Sequence, residues 1–305
     1  MFTFFYRFVL TGSTEPAALH IDIQKMPTPV PLLETLNRFS IVIVTGGSSG
    51  IGCSIIKAIL RLSTNVRMCN ISRSKPEIFL GDNGVHLSTD LTDKDAVDQV
   101  TGQLVSIIDT APEGELLLVN NSGFGDYGKV HQLDIDKQLE MIDLNIRAIV
   151  DLTGRLMPQL EKRGGVVMNI ASTAGFQPTP FLATYGASKA FVLNWSLALN
   201  EDLRETKVRA MAVCPGPTRS NFFKRAGFEI PPMQAKSMNQ SLDMTSDEVA
   251  ELALKGIEKG KSLVVTGWKN TCIAFFGSRT PRVLVTRIGG YILRKLRLEQ
   301  HSSAK

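Results

Sequence analysis

Little in this chain points to a metal centre or a disulfide framework. Its 305 residues include only four cysteines and four histidines. Cys53, Cys69, Cys214 and Cys272 lie far apart and form no close pair of the metal-binding kind. As isolated thiols they read as small apolar core residues of a protein kept in a reducing compartment such as the cytoplasm. His86 and His131 fall on a strand and a loop with no partner at ligand spacing, so no metal is expected. No apolar run approaches the roughly 20 residues that span a bilayer. The opening MFTFFYRFVL is apolar, but it lacks a leading positive region and a clear small-residue cleavage site, so a signal peptide is not expected. Asp134, Asp136 and Glu140 form no acid/base pair and read as the first turn and exposed face of a helix. Beyond Trp268 negative charge almost vanishes. Lys269, Arg279, Arg282, Arg287, Arg294, Lys295, Arg297 and Lys305 are opposed there only by Glu299. The net charge of +5 therefore belongs to a tail, the body is close to neutral, and nucleic acid is not an expected partner.

What is present is an ordinary globular composition, 43% hydrophobic and 21% charged, long enough to bury a core without staples. Residues 1–38 carry Pro16, Pro27, Pro29 and Pro31 without sustained periodicity and read as a loosely attached arm, with Met26 an alternative start inside it. From Ser40 the pattern alternates. Strands are expected at 41–44, 65–71, 85–88, 116–119, 166–170, 208–213 and 263–266. Helices are expected at 54–62, 95–108, 137–160, 185–204 and 246–259. Short, wholly apolar strands separated by amphipathic helices mark a parallel sheet covered on both faces. Right-handed crossovers make it an α/β, doubly wound, Rossmann-type single domain over residues 39–268, followed by a basic amphipathic extension, 269–305.

The first strand runs into Thr45-Gly46-Gly47-Ser48-Ser49-Gly50-Ile51-Gly52, which opens the first helix. Glycines there let the backbone turn tightly toward a pyrophosphate, whose charge the helix N-terminus stabilises. After the second strand comes Ser72-Arg73-Ser74-Lys75, with no carboxylate until Glu77. An acid at that place would suit the ribose hydroxyl of NAD, whereas Arg73 offers a fork for the 2′-phosphate of NADP. Tyr185 and Lys189 are four apart on an expected helix and so share a face. An ammonium close to a phenol favours the phenolate, which predicts a lowered Tyr185 pKa. Ser172 follows a strand at the sheet edge where ligands bind, and its hydroxyl can steady charge on a substrate oxygen.

These motifs, in this order, resemble the short-chain dehydrogenase/reductase family in its classical form, over roughly residues 40–267. Thr45 to Gly52 match that family's cofactor turn. Asp90-Leu91 match its adenine-contacting segment, and Asn120-Asn121-Ser122-Gly123 its Asn-Asn-Ala-Gly, with Ser122 in place of alanine. Asn145, Ser172, Tyr185 and Lys189 match its catalytic tetrad. Pro215-Gly216, with Thr218 just beyond, match the segment at the nicotinamide end. The resemblance implies an NADP(H)-dependent oxidoreductase acting on a small molecule, and a homo-oligomer. It also implies that Lys189 binds the nicotinamide ribose and that Asn145 holds a proton-relaying water.

The same resemblance implies that the segment after Pro215 covers the substrate. Here it carries Phe222, Phe223, Phe228, Ile230, Pro231, Pro232 and Met233, which suits an apolar substrate such as a fatty acyl chain, sterol or aromatic ketone. Reduction of a ketone or 3-oxoacyl group is the leading reading. Oxidation by a hydroxysteroid-type alcohol dehydrogenase is a second, and a catalytically idle NADP-binding interaction protein a third. In the tail, Leu284, Ile288, Ile292 and Leu296 recur at helical spacing among basic residues. Such a stripe can lie peripherally on an anionic membrane, or it can pack on the body or on a second subunit.

Overall fold

In the computed structural model the described residues are 32–302, apart from 64, 221 and 228–242. In chain order they form α1 (Leu32–Asn37), β1 (Phe39–Thr45), α2 (Gly50–Leu62), β2 (Arg67–Ser72), β3 (Val85–Ser88), α3 (Lys94–Thr110) and β4 (Glu115–Asn120). Then come α4 (Ile135–Ile142), a π turn (Asp143–Arg147), α5 (Ala148–Arg163), β5 (Gly165–Ile170), α6 (Ala183–Asp202) and β6 (Val208–Cys214). The chain continues through β7 (Thr218–Arg219), α7 (Phe222–Arg225), β8 (Met244–Thr245), α8 (Ser246–Glu258), β9 (Leu263–Val265), α9 (Trp268–Arg279) and α10 (Arg282–Ser302).

Seven parallel strands lie in the order β3-β2-β1-β4-β5-β6-β9. Period-two alternation splits each strand between two cores. Val42 and Val44 of β1 pack with α2 and α8 through Ile55, Ile59, Leu254 and Ile257. Ile41 and Ile43 face the other way, onto α3 and α5 through Val97, Leu104, Leu152 and Leu156. The expected doubly wound sheet is present, and its strand order reverses between β1 and β4. Ligands of such sheets bind outside the carboxyl ends at that reversal.

Three elements differ from the sequence reading. The residues of α1 belong to the expected arm, yet Leu36 and Thr35 are buried, Leu36 in the first core. Six helical residues are too short for a periodic signal; the rest of the arm, residues 1–31, lies outside the described residues. The expected helix over 137–160 is one rod from Ile135 to Arg163, interrupted by the π turn. One wide turn re-registers the side chains, and Asn145, which a plain surface helix would solvate, is fully buried. Finally, α2 starts at Gly50, four residues earlier than expected, so its first amides belong to the glycine turn.

Beneath the cleft a buried polar chain crosses the sheet. Asn120 Nδ2 donates to Thr153 Oγ1 (2.9 Å) and Asn169 Oδ1 (2.8 Å). Asn169 Nδ2 in turn donates to Ser196 Oγ (2.9 Å), which donates to Val192 O (2.6 Å). Replacing Asn169→Ala leaves the Asn120 amide short of an acceptor in a dry interior. The expected cost is about 1–3 kcal/mol, read as a lowered urea midpoint with an unchanged m-value.

Candidate active site

Five loops at the carboxyl ends of β1, β2, β3, β4 and β5, together with the segment after β6, enclose a cleft of about 740 Å³. Their positions are held by buried polar side chains. Thr45 Oγ1 accepts hydrogen bonds from the backbone N–H of Asn121 (2.9 Å) and of Ser122 (3.0 Å), tying the β1 turn to the β4 loop. Asn121 Nδ2 returns bonds to Thr45 O (2.9 Å) and Gly46 O (3.2 Å). Gly46 has φ +68°, and a Cβ there would meet the Ser122 hydroxyl at 2.9 Å, so only glycine suits the position.

The residues present fit an anionic dinucleotide. Gly46, Ser48, Ser49, Gly50 and Ile51 line one end of the cleft. Ser49 caps α2 in extended conformation without a side-chain bond, so the first amides of the helix remain open to an anion. At the end of β2, Arg73 stands 68% exposed, 3.6 Å from Asp90 Oδ2 and 3.8 Å from Glu140 Oε1. Such exposed ion pairs are weak and yield readily to a phosphate. Burial alone would raise the Asp90 carboxyl, but hydrogen bonds from the Thr92 amide and hydroxyl and the Arg73 charge hold it below its ordinary value. Leu91 lines the wall beside it.

At the other end Ser172, Tyr185 and Lys189 come together, with Pro215, Gly216 and Thr218 along one side. Tyr185 lies beside Ser172, whose Oγ accepts from Ala174 N (3.1 Å). Lys189 Nζ donates to Ile170 O (2.8 Å) and lies 5.9 Å from the Tyr185 ring centroid. The expected depression of the Tyr185 pKa is not found. Burial pushes the phenol up to about 12, with only the Ser172 bond opposing. The same burial brings Lys189 down to about 8. Desolvation outweighs the ammonium because a backbone carbonyl, rather than the phenol, receives the Lys189 bond.

Four of the sequence-derived site residues lie outside the cleft wall. Thr45 is spent on the β4 loop, and Asn120 turns into the sheet. Gly52 packs within α2, where a Cβ would meet Asn121 Nδ2 at 2.5 Å. Asn145 donates from Nδ2 to Phe124 O (3.0 Å) and Ser188 Oγ (3.0 Å), while its Oδ1 accepts from Phe124 N (3.1 Å). These residues position the loops that carry the others. Sequence reasoning missed Asn70, whose Oδ1 accepts from Gly47 N (2.9 Å) and whose Nδ2 bonds Ser72 Oγ and His86 Nδ1. The available signal was an amide inside an apolar strand. It also missed Phe124, Leu182, Arg225 and Leu293, which line the cleft from loops, from α7 and from the distant α10. Glu140, read as a solvated helix face, borders the cleft. Phe222 and Phe223 close over the site, the former 5.2 Å from the Tyr185 ring. Phe228, Ile230, Pro231, Pro232 and Met233 lie outside the described residues.

Residues 40–229 match the model of the short chain dehydrogenase family. The chain belongs to that family. Among its relatives, a probable NADP-dependent dehydrogenase of Haemophilus influenzae is 30% identical over 223 residues, 70% of this chain and 85% of that protein. An NADP-dependent 3-hydroxy acid dehydrogenase of Escherichia coli is 31% identical over 222 residues, 69% of this chain and 86% of its own. A short-chain dehydrogenase of Sphingobium yanoikuyae, solved with NADPH, superposes at a TM-score of 0.64 with 26% identity, covering 79% of this chain and 94% of that one. The cleft sits where the strand order reverses. The position of Arg73 predicts that Arg73→Ala weakens NADPH binding about tenfold or more, the worth of a charge-assisted pair, and leaves NADH binding within about twofold. Titration of cofactor fluorescence checks both; equal losses would remove Arg73 from phosphate recognition.

Proposed function

We propose that this protein reduces an apolar ketone or 3-oxoacyl carbonyl to the alcohol, with NADPH as the reductant and Tyr185 as the general acid. It is an NADP-dependent oxidoreductase of the short-chain family. The observation that supports the finer reading is the Tyr185 phenol beside Ser172, roofed by Phe222, in the same cleft as the glycine turn. Burial that disfavours the phenolate leaves Tyr185 able to donate to an oxygen on which charge is growing, which supports the reductive direction.

Bound NADPH supplies the hydride. The chain's own residues do the rest. Ser172 and Tyr185 donate hydrogen bonds to the carbonyl oxygen, and their dipoles stabilise the negative charge that grows there as the carbon is reduced. Tyr185 then passes its phenolic proton to that oxygen. Lys189 lies in the same pocket, fixed by Ile170 O, so its ammonium contributes positive potential without wandering. Asn145 keeps the loop at Phe124 in place, and Phe222 with Phe223 excludes water from the reacting centre. The apolar lining of Phe124, Leu182, Phe222, Phe223 and Leu293 supports an apolar substrate. Self-association belongs to the same reading, since Ile135, Leu139, Ile142 and Val150 are exposed along one helical rod.

Tyr185→Phe is expected to lower kcat for NADPH-dependent carbonyl reduction by about 10²–10⁴-fold, with NADPH affinity within about threefold. Undiminished turnover would remove Tyr185 from proton transfer. The pH profile follows from the two shifts. Tyr185 keeps its proton throughout, whereas Lys189 loses its charge as pH climbs through about 8. The reduction rate is therefore expected to stay level through neutrality and to fall above that value, measured by NADPH oxidation at saturating substrate.

A further inference from the structure

The basic tail folds into two helices whose outer faces are bare. On α9, Trp268 (73% exposed) and Phe276 (64%) stand in water beside Phe275; on α10, Val283, Leu284, Ile288, Tyr291 and Ile292 do the same. Leu284, Ile288 and Ile292 each leave 40% or more of their surface open to water. Cations are interleaved with this apolar surface rather than set apart from it. The Arg279 guanidinium lies 3.8 Å from the Phe275 ring centroid, Lys295 Nζ 4.6 Å from that of Tyr291, and Lys269 Nζ 5.7 Å from that of Trp268. From Trp268 to Leu298 there is no acidic residue at all.

The inner faces of the same helices reach the catalytic cleft. On α9, Asn270 packs so tightly under Gly216 that a Cβ there would meet its Oδ1 at 2.3 Å. On α10, Leu293 lines the cleft beside Phe222 and Phe223, and its carbonyl accepts a hydrogen bond from the Tyr127 hydroxyl (3.0 Å). Gly289 and Gly290 of α10 turn toward Pro180. One layer of helix thus separates the cleft from the bare face.

We infer that the outer face of α9 and α10 lies on an anionic membrane surface, and that the cleft takes its carbonyl substrate from that membrane past Leu293. The second half rests on the reductase reading; the first does not. Each feature of the face suits a lipid boundary. Apolar side chains enter the acyl edge, Trp268 and Tyr291 suit the headgroup level, and long basic side chains reach out to anionic headgroups. The charge sets the choice of occupant. A second copy would bring the same basic surface against itself. Nucleic acid would satisfy the cations but leave the exposed phenylalanines and isoleucine in water. Among the described residues no helix is long and apolar enough to cross a membrane, so α9 and α10 lie along the surface.

The test uses the full chain without substrate, sedimented with vesicles of phosphatidylcholine alone or mixed with phosphatidylglycerol. Binding to the anionic vesicles is expected to exceed binding to the neutral ones by about tenfold or more, as several basic residues each contribute, and to fall in high salt. The doubly substituted Phe276→Asp, Ile288→Asp protein is expected to lose that binding while keeping its thermal midpoint and NADPH affinity. The inference is overturned if neither vesicle binds or if both bind equally. It is also overturned if the double variant binds vesicles unchanged, if it only converts a dimer to a monomer in light scattering, or if duplex DNA competes the protein off anionic vesicles at low occupancy. Because no turnover is read, a failure here leaves the reductase reading intact, and an inactive reductase would leave vesicle binding intact.

Discussion

The hydroxyl of Thr45 accepts two backbone N–H bonds from the loop after β4, and the whole cleft is arranged around that tie. It joins the two strands between which the sheet order reverses, where diverging crossovers would otherwise let the loops drift apart. Asn70 fastens the glycine turn from the β2 side, and Asn121 fastens it from the β4 side. Asn145 then clamps the far end of the β4 loop beside Phe124. Thr45, Asn70 and Asn145 are buried, so losing one of their bonds strands a polar atom away from water. A rigid rim of this kind lets Gly46 and its neighbours present backbone amides to an anion without being reorganised by it.

The same exclusion of water shapes the electrostatics at the catalytic end. A tyrosine and a lysine one helical turn apart invite the expectation that the ammonium lowers the phenol. Burial acts on both groups in the opposite sense, disfavouring the charged form of each, and Lys189 spends its bond on Ile170 O. The outcome is a phenol that retains its proton and an ammonium within reach of neutral pH. The proposed role of Tyr185 as proton donor draws on that ordering. Phe222, packed against Tyr185, extends the dry surface outward and connects it to the apolar face on which Leu293 sits.

Through Leu293 and Asn270 the tail becomes part of the enzyme rather than an appendage to it. A helix that contributes its inner face to the cleft cannot move without altering the mouth, so whatever the outer face touches is coupled to access. The bare aromatics and interleaved cations of that outer face are costly in water and comfortable at a polar–apolar boundary. Composition alone revealed the charge of this segment, while its two-sidedness needed coordinates.

The division between what the sequence determined and what the fold decided follows from the range of the forces involved. Period-two apolar strands, helical stripes and the glycine turn are local patterns, so the doubly wound sheet, the family and the grouping of Ser172, Tyr185 and Lys189 were legible from residues alone. The choice of Arg73 over an acid at the end of β2 was legible for the same reason. Only tertiary structure decided that Thr45, Asn120 and Asn145 brace the site from behind rather than line it, because each side chain chooses among partners 33 to 77 residues away or, for Asn145, turns inward through a π turn that no periodicity announces. Only tertiary structure brought Leu293 to the cleft and set the direction of the Tyr185 shift. Burial is a property of the assembled chain, and the energy of a buried charge depends on what surrounds it in space rather than on its neighbours in sequence.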